Sequence, residues 1–164
     1  MQTSIAAEVL QLCREQGLTL AAAESCTGGL IAKELTDIPG ASQVFLGGVV
    51  SYTNHVKEQV LHVPAALLDR CGAVSAPVAR AMALGARVLT GADLAVSVTG
   101  LAGPDGDDWG NPVGTVFTAL AAPEGVFVRQ LLLGGDRERI RALSAHHALD
   151  MARRYLTHQM TEGE

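Results

Sequence analysis

Aromatic side chains make up only 4% of the 164 residues, so the interior has to be filled by the small aliphatic residues that dominate an apolar content of 48%. Lysine and arginine never gather into a block, and the net charge is −5. That excludes a nucleic-acid partner held through many phosphates, but not one small anion, which needs only one or two cations. Cys13, Cys26 and Cys71 lie far apart and form no CxxC pair, so neither a disulfide framework nor a zinc site is indicated. The histidines supply no metal cluster either: His146 and His147 are adjacent and point in different directions on a helix. No run approaches the roughly 20 apolar residues of a membrane span. Met1 to Arg14 lacks the apolar core of a signal peptide. The expectation is a soluble cytoplasmic protein, with no membrane or nucleic-acid partner, no metal and no cofactor.

What is present suits one domain over residues 1–164. A chain of this length buries roughly 70% of its unfolded surface, and charged residues at 18% are too few for disorder. Apolar residues at Ile5, Val9, Leu10 and Cys13 recur with a helical period that ends at Gly17. Leu18 to Ala23 reads as a buried strand, followed by the turn Ser25-Cys26-Thr27-Gly28-Gly29 and a helix from Leu30 to Leu35. Asp37-Ile38-Pro39-Gly40 is a breaker. Val44 to Tyr52 reads as a strand, and Asn54 as the cap of a short helix through Leu61. Another short helix starts near Pro64 and ends near Gly72, and Ser75-Ala76-Pro77 opens a long Ala-rich helix to about Thr90. Leu94 to Val98 is a strand, and Thr99 to Asn111 a long Gly/Pro/Asp loop. Val113 to Ala121 and Val126 to Leu133 pair through a hairpin turn. A final helix runs from Arg137 to about Tyr155, with a frayed tail from Thr157. The sum is a three-layer α/β/α domain with a mixed sheet that includes a C-terminal β-hairpin.

Four segments are able to carry chemistry. At the Ser25 turn, free N–H groups and the positive end of a helix gather where a strand ends. Such a turn exposes a hydroxyl and offers N–H donors to an oxyanion or phosphate, and Gly28 and Gly29 let a ligand approach closely. It serves equally as a plain strand–helix turn, with Ser and Thr as caps. Cys26 is the rival nucleophile, or else a small buried residue. A serine needs a base, and His55, His62 and Lys57 are nearest in sequence. With Asn54 as cap, Lys57 falls at the third helical position, where the dipole disfavours a cation. Lowering a lysine from about 10.4 to about 7.5 requires roughly 4 kcal/mol, of which the dipole supplies at most about 1–2, so burial has to supply the rest. A solvated surface lysine is the other reading. The glycine-rich segment Thr99-Gly100-Leu101-Ala102-Gly103-Pro104-Asp105-Gly106 follows a strand, where α/β sheets place their ligand crevices, but no Gly-Lys-Ser/Thr makes it a P-loop; an extended turn accounts for it as well. Arg137, Arg139 and Arg141 crowd a helix start, where a bound anion offsets their cost; a solvated face paired with Asp136 and Glu138 is the alternative. Tyr52 and Asn54 flank Thr53 just before Lys57, and Trp109 lies in the long loop.

Taken together these segments resemble a known family. Ala23-Glu24-Ser25-Cys26-Thr27-Gly28-Gly29, Ser51-Tyr52-Thr53-Asn54 with Lys57, Gly72-Ala73-Val74-Ser75, the Thr99 to Gly106 segment, Pro112-Val113-Gly114-Thr115-Val116 and Gly135-Asp136-Arg137 occur in order. The chain is similar in this to the C-terminal domain of the CinA (competence/damage-inducible) family over about residues 5 to 156. The resemblance implies a nicotinamide-nucleotide amidase that converts nicotinamide mononucleotide to nicotinate mononucleotide and ammonia. It implies Ser25 as nucleophile and Lys57 as base, and makes Gly100, Ala102 and Gly103 of the glycine-rich segment, with Arg137, candidates for binding substrate. Beside these, backbone N–H groups around Thr27, Gly28 and Gly29 are expected to stabilise an oxyanion, Tyr52 and Asn54 to contact the substrate, and Arg141 to join Arg137 at a 5′-phosphate. The resemblance also implies a homo-oligomer, a dimer in the first instance. The chain departs from the family at Asn111, where many relatives are expected to carry Lys, and 107–110 is a variable stretch. The other readings are a non-catalytic nucleotide-binding regulatory module and an amidase acting on another small amide.

Overall fold

The computed structural model describes residues 2–160. The chain runs α1 (Ile5–Gln16), β1 (Leu20–Glu24), α2 (Leu30–Thr36), a 3-10 turn at Ala41–Gln43, β2 (Phe45–Val50), α3 (Asn54–Leu61), α4 (Ala65–Cys71), α5 (Ala76–Thr90), β3 (Leu94–Gly100), β4 (Thr115–Ala122), β5 (Gly125–Leu132) and α6 (Arg137–Leu156). The five strands lie in the order β2-β1-β3-β4-β5. β1 is parallel to both β2 and β3, and β4 pairs antiparallel with β3 and β5. This is the expected mixed sheet, with its hairpin closed by Ala122 opposite Gly125.

Side chains alternate across the sheet with the strand period, and the two faces differ in size. Leu20, Leu94, Val96, Val98, Val116 and Leu120 face α1, α2 and α6. Ala21, Ala23 and Ala95 face the α3–α5 side, as do Ala119 and Ala121. Each buried leucine or valine contributes roughly 1.5–3 kcal/mol through removal from water. The alanine face contributes less per residue but lets the Ala-rich α5 lie close to the sheet. α5 also lies close against the end of α3, which makes Gly85 obligatory, since a Cβ there would fall 2.1 Å from the Leu61 carbonyl oxygen.

Several boundaries move by a physical cause. Thr53, not Asn54, caps α3: its hydroxyl accepts a hydrogen bond from the Val56 N–H, and Asn54 is the first helical residue. Thr99 and Gly100 belong to β3, where they pair with Phe117 and Val116, so the long loop starts at Leu101. Neither Ser nor Thr caps α2: Gly29 occupies the cap position in the left-handed region, without a side-chain bond. The tail does not fray at Thr157: its N–H donates to the Arg153 carbonyl, and Met160 packs on the core. Residues 161–164 of that tail lie outside the described residues.

The topology positions the site. From β1 the chain leaves through α2 on one face to reach β2, and returns through α3–α5 on the other face to reach β3. The C-terminal ends of β1 and β3 therefore diverge where the connections change sides, which is where open α/β sheets form their ligand crevice.

Candidate active site

Ser25 is the first residue beyond β1, and three strands meet beneath it. Its N–H donates to the Val98 carbonyl of β3 at 3.0 Å, and the Ser51 N–H at the end of β2 donates to the Glu24 carbonyl at 2.7 Å. The Ser51 hydroxyl donates to the same carbonyl at 3.1 Å. The chain then turns through Gly28 and Gly29, whose φ of 62° and 103° favour glycine, with the Gly28 N–H closing onto the Ser25 carbonyl at 3.1 Å.

The Glu24 carboxylate holds this turn from below. It accepts from the Thr27 hydroxyl at 2.7 Å and from the Ile31 and Ala32 N–H groups at 2.9 and 3.1 Å. A buried carboxylate thus satisfies the orphan donors that begin α2. Behind the turn, Arg141 of α6 donates to the Cys26 carbonyl at 3.0 Å and to the Thr27 carbonyl at 3.1 Å. Two carbonyls that would otherwise crowd a helix start are drawn away by one guanidinium.

Lys57 comes from the first turns of α3 and is only 1% exposed. Its ammonium donates to the Ser51 carbonyl at 2.7 Å and to the Ser25 hydroxyl oxygen at 2.9 Å. With Thr53 as the cap, Lys57 is the fourth helical residue, so the dipole acts on it less than the sequence suggests. Burial is the cause that matters, and it pushes the Lys57 ammonium down to about 8. His55 and His62, the other candidate bases, are exposed and do not line the cavity described next. Cys26 is buried, and that burial pushes its thiol up to about 11; the thiol is therefore protonated near neutrality and a poor nucleophile.

These groups open into a cavity of about 310 Å³. Ser25, Tyr52, Asn54, Lys57, Gly100, Ala102, Gly103 and Arg137 line it together, as do Ala73, Val74, Thr99 and Asp105. On its rim Arg137 donates to the Gly103 carbonyl, 2.6 Å, and to the Tyr52 hydroxyl oxygen, 3.1 Å. Thr27, Gly28, Gly29 and Arg141 do not reach this cavity; they border a separate depression of about 240 Å³. Thr27 is fully buried, and Arg141 is committed to the carbonyls of the turn. Sequence reasoning missed Glu24 and Ser51, although a glutamate set between a buried strand and a helix start is itself a signal. Among the described residues no group of three or more His, Cys, Asp or Glu is arranged to hold a metal ion.

A buried lysine on a serine at the end of a central strand is a specific arrangement, and comparison with known proteins gives it a family. The chain matches the CinA C-terminal domain over residues 2–156. The chain belongs to the CinA family. Its relatives include the CinA-like proteins of Geobacter sulfurreducens and Geotalea uraniireducens, 57% and 55% identical over 148 residues. Each alignment covers 90% of this chain but 36% and 35% of the relative, so the chain spans about a third of the length of these CinA-like proteins. The fold matches the competence damage-inducible protein A of Klebsiella pneumoniae with a TM-score of 0.92 at 34% identity, covering 95% of this chain and 97% of that one. It matches the competence/damage inducible protein of Agrobacterium tumefaciens with a TM-score of 0.88 at 39% identity, covering 96% and 99%. No helix among the described residues of this CinA-family chain is long and apolar enough to cross a membrane.

Proposed function

We propose that this domain is a serine amidase acting on nicotinamide mononucleotide. The observation that carries the reading is the 2.9 Å contact between the buried Lys57 ammonium nitrogen and the Ser25 hydroxyl oxygen. A lysine lowered to about 8 is neutral in a usable fraction of molecules near neutral pH, as a general base has to be. The Ser51 carbonyl keeps one of its N–H bonds, which leaves the lone pair for the serine proton.

In the reaction, neutral Lys57 takes the Ser25 proton as Oγ attacks the carboxamide carbon. Backbone N–H groups of the serine turn face the developing oxyanion. The Gly28 N–H is already given to the Ser25 carbonyl, and of residues 26–29 only Cys26 lines the cavity, so one donor is its N–H. As the tetrahedral carbon collapses, Lys57 returns the proton to the leaving nitrogen and ammonia departs. A water then gives a proton to Lys57 and attacks the acyl ester, and as that intermediate collapses Lys57 passes the proton to the departing Ser25 Oγ, which releases the nicotinate product and restores both Ser25 and neutral Lys57. Arg137, on the exposed rim, takes the 5′-phosphate. Arg141 acts instead on the Ser25 turn, by holding two of its carbonyls. The cavity of about 310 Å³ is at the small end of ligand sites, in keeping with a mononucleotide. A homodimer, as the family resemblance implies, remains part of this proposal.

The test is ammonia release from nicotinamide mononucleotide by the wild type and by Ser25→Ala. Release by the wild type and a loss of at least about 10³-fold in the variant is the expected result. Binding of the nucleotide without release by the wild type would make the domain a regulatory module. Release from a different amide alone would keep Ser25 and Lys57 but change the substrate.

A further inference from the structure

The cavity over Ser25 does not end at its own walls. Across Asn54, Ala73, Val74 and Leu101 it continues into a second hollow of about 530 Å³, whose far side is Trp109 with Asp69, Asp107 and Asp108. Among the described residues no lysine, arginine or histidine lines that hollow. The charge along the cleft is therefore polarised, with Arg137 at the rim of one end and carboxylates at the other.

Trp109 is built into place although it is 52% exposed. The Asp107 carboxylate accepts from the N–H groups of Trp109 and Asn111 at 3.0 and 2.9 Å, and from the Asn111 side-chain amide at 2.8 Å. That amide also reaches the Val74 carbonyl at 3.4 Å, which ties the loop to the wall of the cleft. The indole rests on Gly72, where a Cβ would come within 2.5 Å of its Nε1. Gly72 also has φ of 77°, so two independent demands keep that position bare. An aromatic surface so fixed, facing a cleft and surrounded by carboxylates, is complementary to a flat cation.

We infer that the Trp109 hollow is the subsite for a cationic aromatic ring, the pyridinium of the substrate. This rests on the amidase reading above, in which the carboxamide carbon lies at Ser25. The ring is bonded directly to that carbon, so it has to lie across the wall that both hollows share, at Ala73, Val74 and Leu101. Its face meets the Trp109 indole, and Asp69 and Asp108 supply the opposing charge. The phosphate, repelled from that end, points to Arg137. The substrate is a zwitterion in this region, and the cleft fixes its direction by sign as well as by shape. The positive ring is selected along with the amide, so an amide on an uncharged ring is a poor ligand even where it fits.

Calorimetric binding to the Ser25→Ala variant tests this, with nicotinamide mononucleotide and its analogue carrying an uncharged benzamide ring on the same ribose phosphate as probes. The expected result is tighter binding of the pyridinium compound by about 10-fold. Adding Trp109→Leu, or Asp69→Asn with Asp108→Asn, should bring that preference below about 3-fold, because the pyridinium compound loses more affinity than the benzamide compound, which loses only its uncharged stacking contact in Trp109→Leu. In otherwise wild-type enzyme, Trp109→Leu should raise KM and leave kcat nearly unchanged. A preference that survives both sets of substitutions, in an enzyme that releases ammonia from the nucleotide, would overturn the subsite and leave the amidase reading standing. Failure of the wild type to release ammonia, with neither probe bound, would sink both together.

Discussion

Glu24, Ser25, Ser51 and Lys57, on the floor of the cleft, are between 0 and 9% exposed, whereas Tyr52 and Trp109 on its rim are 57% and 52% exposed. The floor is wired by short buried bonds that converge from β1, β2, β3, α3 and α6. Few of its polar atoms compete with water, so each bond is strong and each missing partner is costly. The rim is held by bonds that water contests, such as that between Arg137 and Tyr52. Burial on the floor is what lowers the Lys57 ammonium, and the same burial would be wasted on the rim. On the amidase reading, the floor sets the chemistry and the rim the choice of ligand. Substitutions on the floor should change turnover or folding, and substitutions on the rim should change affinity.

The largest effect is expected at Lys57. Lys57→Met keeps the apolar stem and removes the base, so kcat should fall by about 10²–10⁴-fold. Stability should move the other way. The Lys57 ammonium stands at about 8 against an ordinary 10.5, so between those pH values the unfolded chain holds a proton that the native state lacks. Native stability therefore rises with pH across that window. The penalty, roughly 3 kcal/mol, is fully present below about pH 8 and relieved above about 10.5. Removing the lysine lifts it, less about 1 kcal/mol for the donor lost to Ser51. Urea unfolding should show the variant more stable than the wild type at pH 7, with the gap closing by about pH 10. A variant less stable at both pH values would break the link between burial and the depressed lysine.

Glu24→Gln comes next. The amide can accept one of the N–H bonds of α2 but presents a donor to the others, so a loss of about 1–3 kcal/mol in unfolding free energy is expected, with a fall in kcat as the Ser25 turn loosens. Arg137→Ala should leave folding and kcat nearly intact and raise KM by about 10-fold or more, the loss of one charge-assisted contact. An equal fall in kcat would place Arg137 on the floor in function if not in position. Tyr52→Phe should be the smallest, less than about 1 kcal/mol in binding, because the Arg137 guanidinium keeps its bond to the Gly103 carbonyl.

The three layers, the hairpin and nearly every helix were legible because period and punctuation agreed: Gly17 closes α1, Ser75-Ala76-Pro77 opens α5, and Leu94 to Val98 is too compact for anything but a strand. The pairing of Ser25 with Lys57 was legible as two motifs, but their contact spans 32 residues and is made by the topology, which no local pattern states. Thr53 displaced Asn54 as the cap because the two neighbours are both good caps and only the backbone decides between them. Arg141 carried the same charge and spacing as a phosphate ligand. It points instead at the Cys26 and Thr27 carbonyls, because α6 packs against the back of the serine turn. Trp109 has no supporting signal within its loop, because the residue beneath its indole, Gly72, lies more than thirty residues earlier in the chain.

The central claim is that a buried, neutral Lys57 activates Ser25, and the pH dependence of kcat/KM for ammonia release from nicotinamide mononucleotide tests it most directly. The ring charge of that substrate is fixed and its phosphate is ionised at neutral pH and above, so a limb at higher pH belongs to the free enzyme. The account predicts a rise with pH that levels off around an apparent value near 8, where the Lys57 ammonium stands, and the disappearance of that limb in the residual activity of Lys57→Met. A rate that is flat from about pH 6 to 9, or a limb that survives in Lys57→Met, would contradict it.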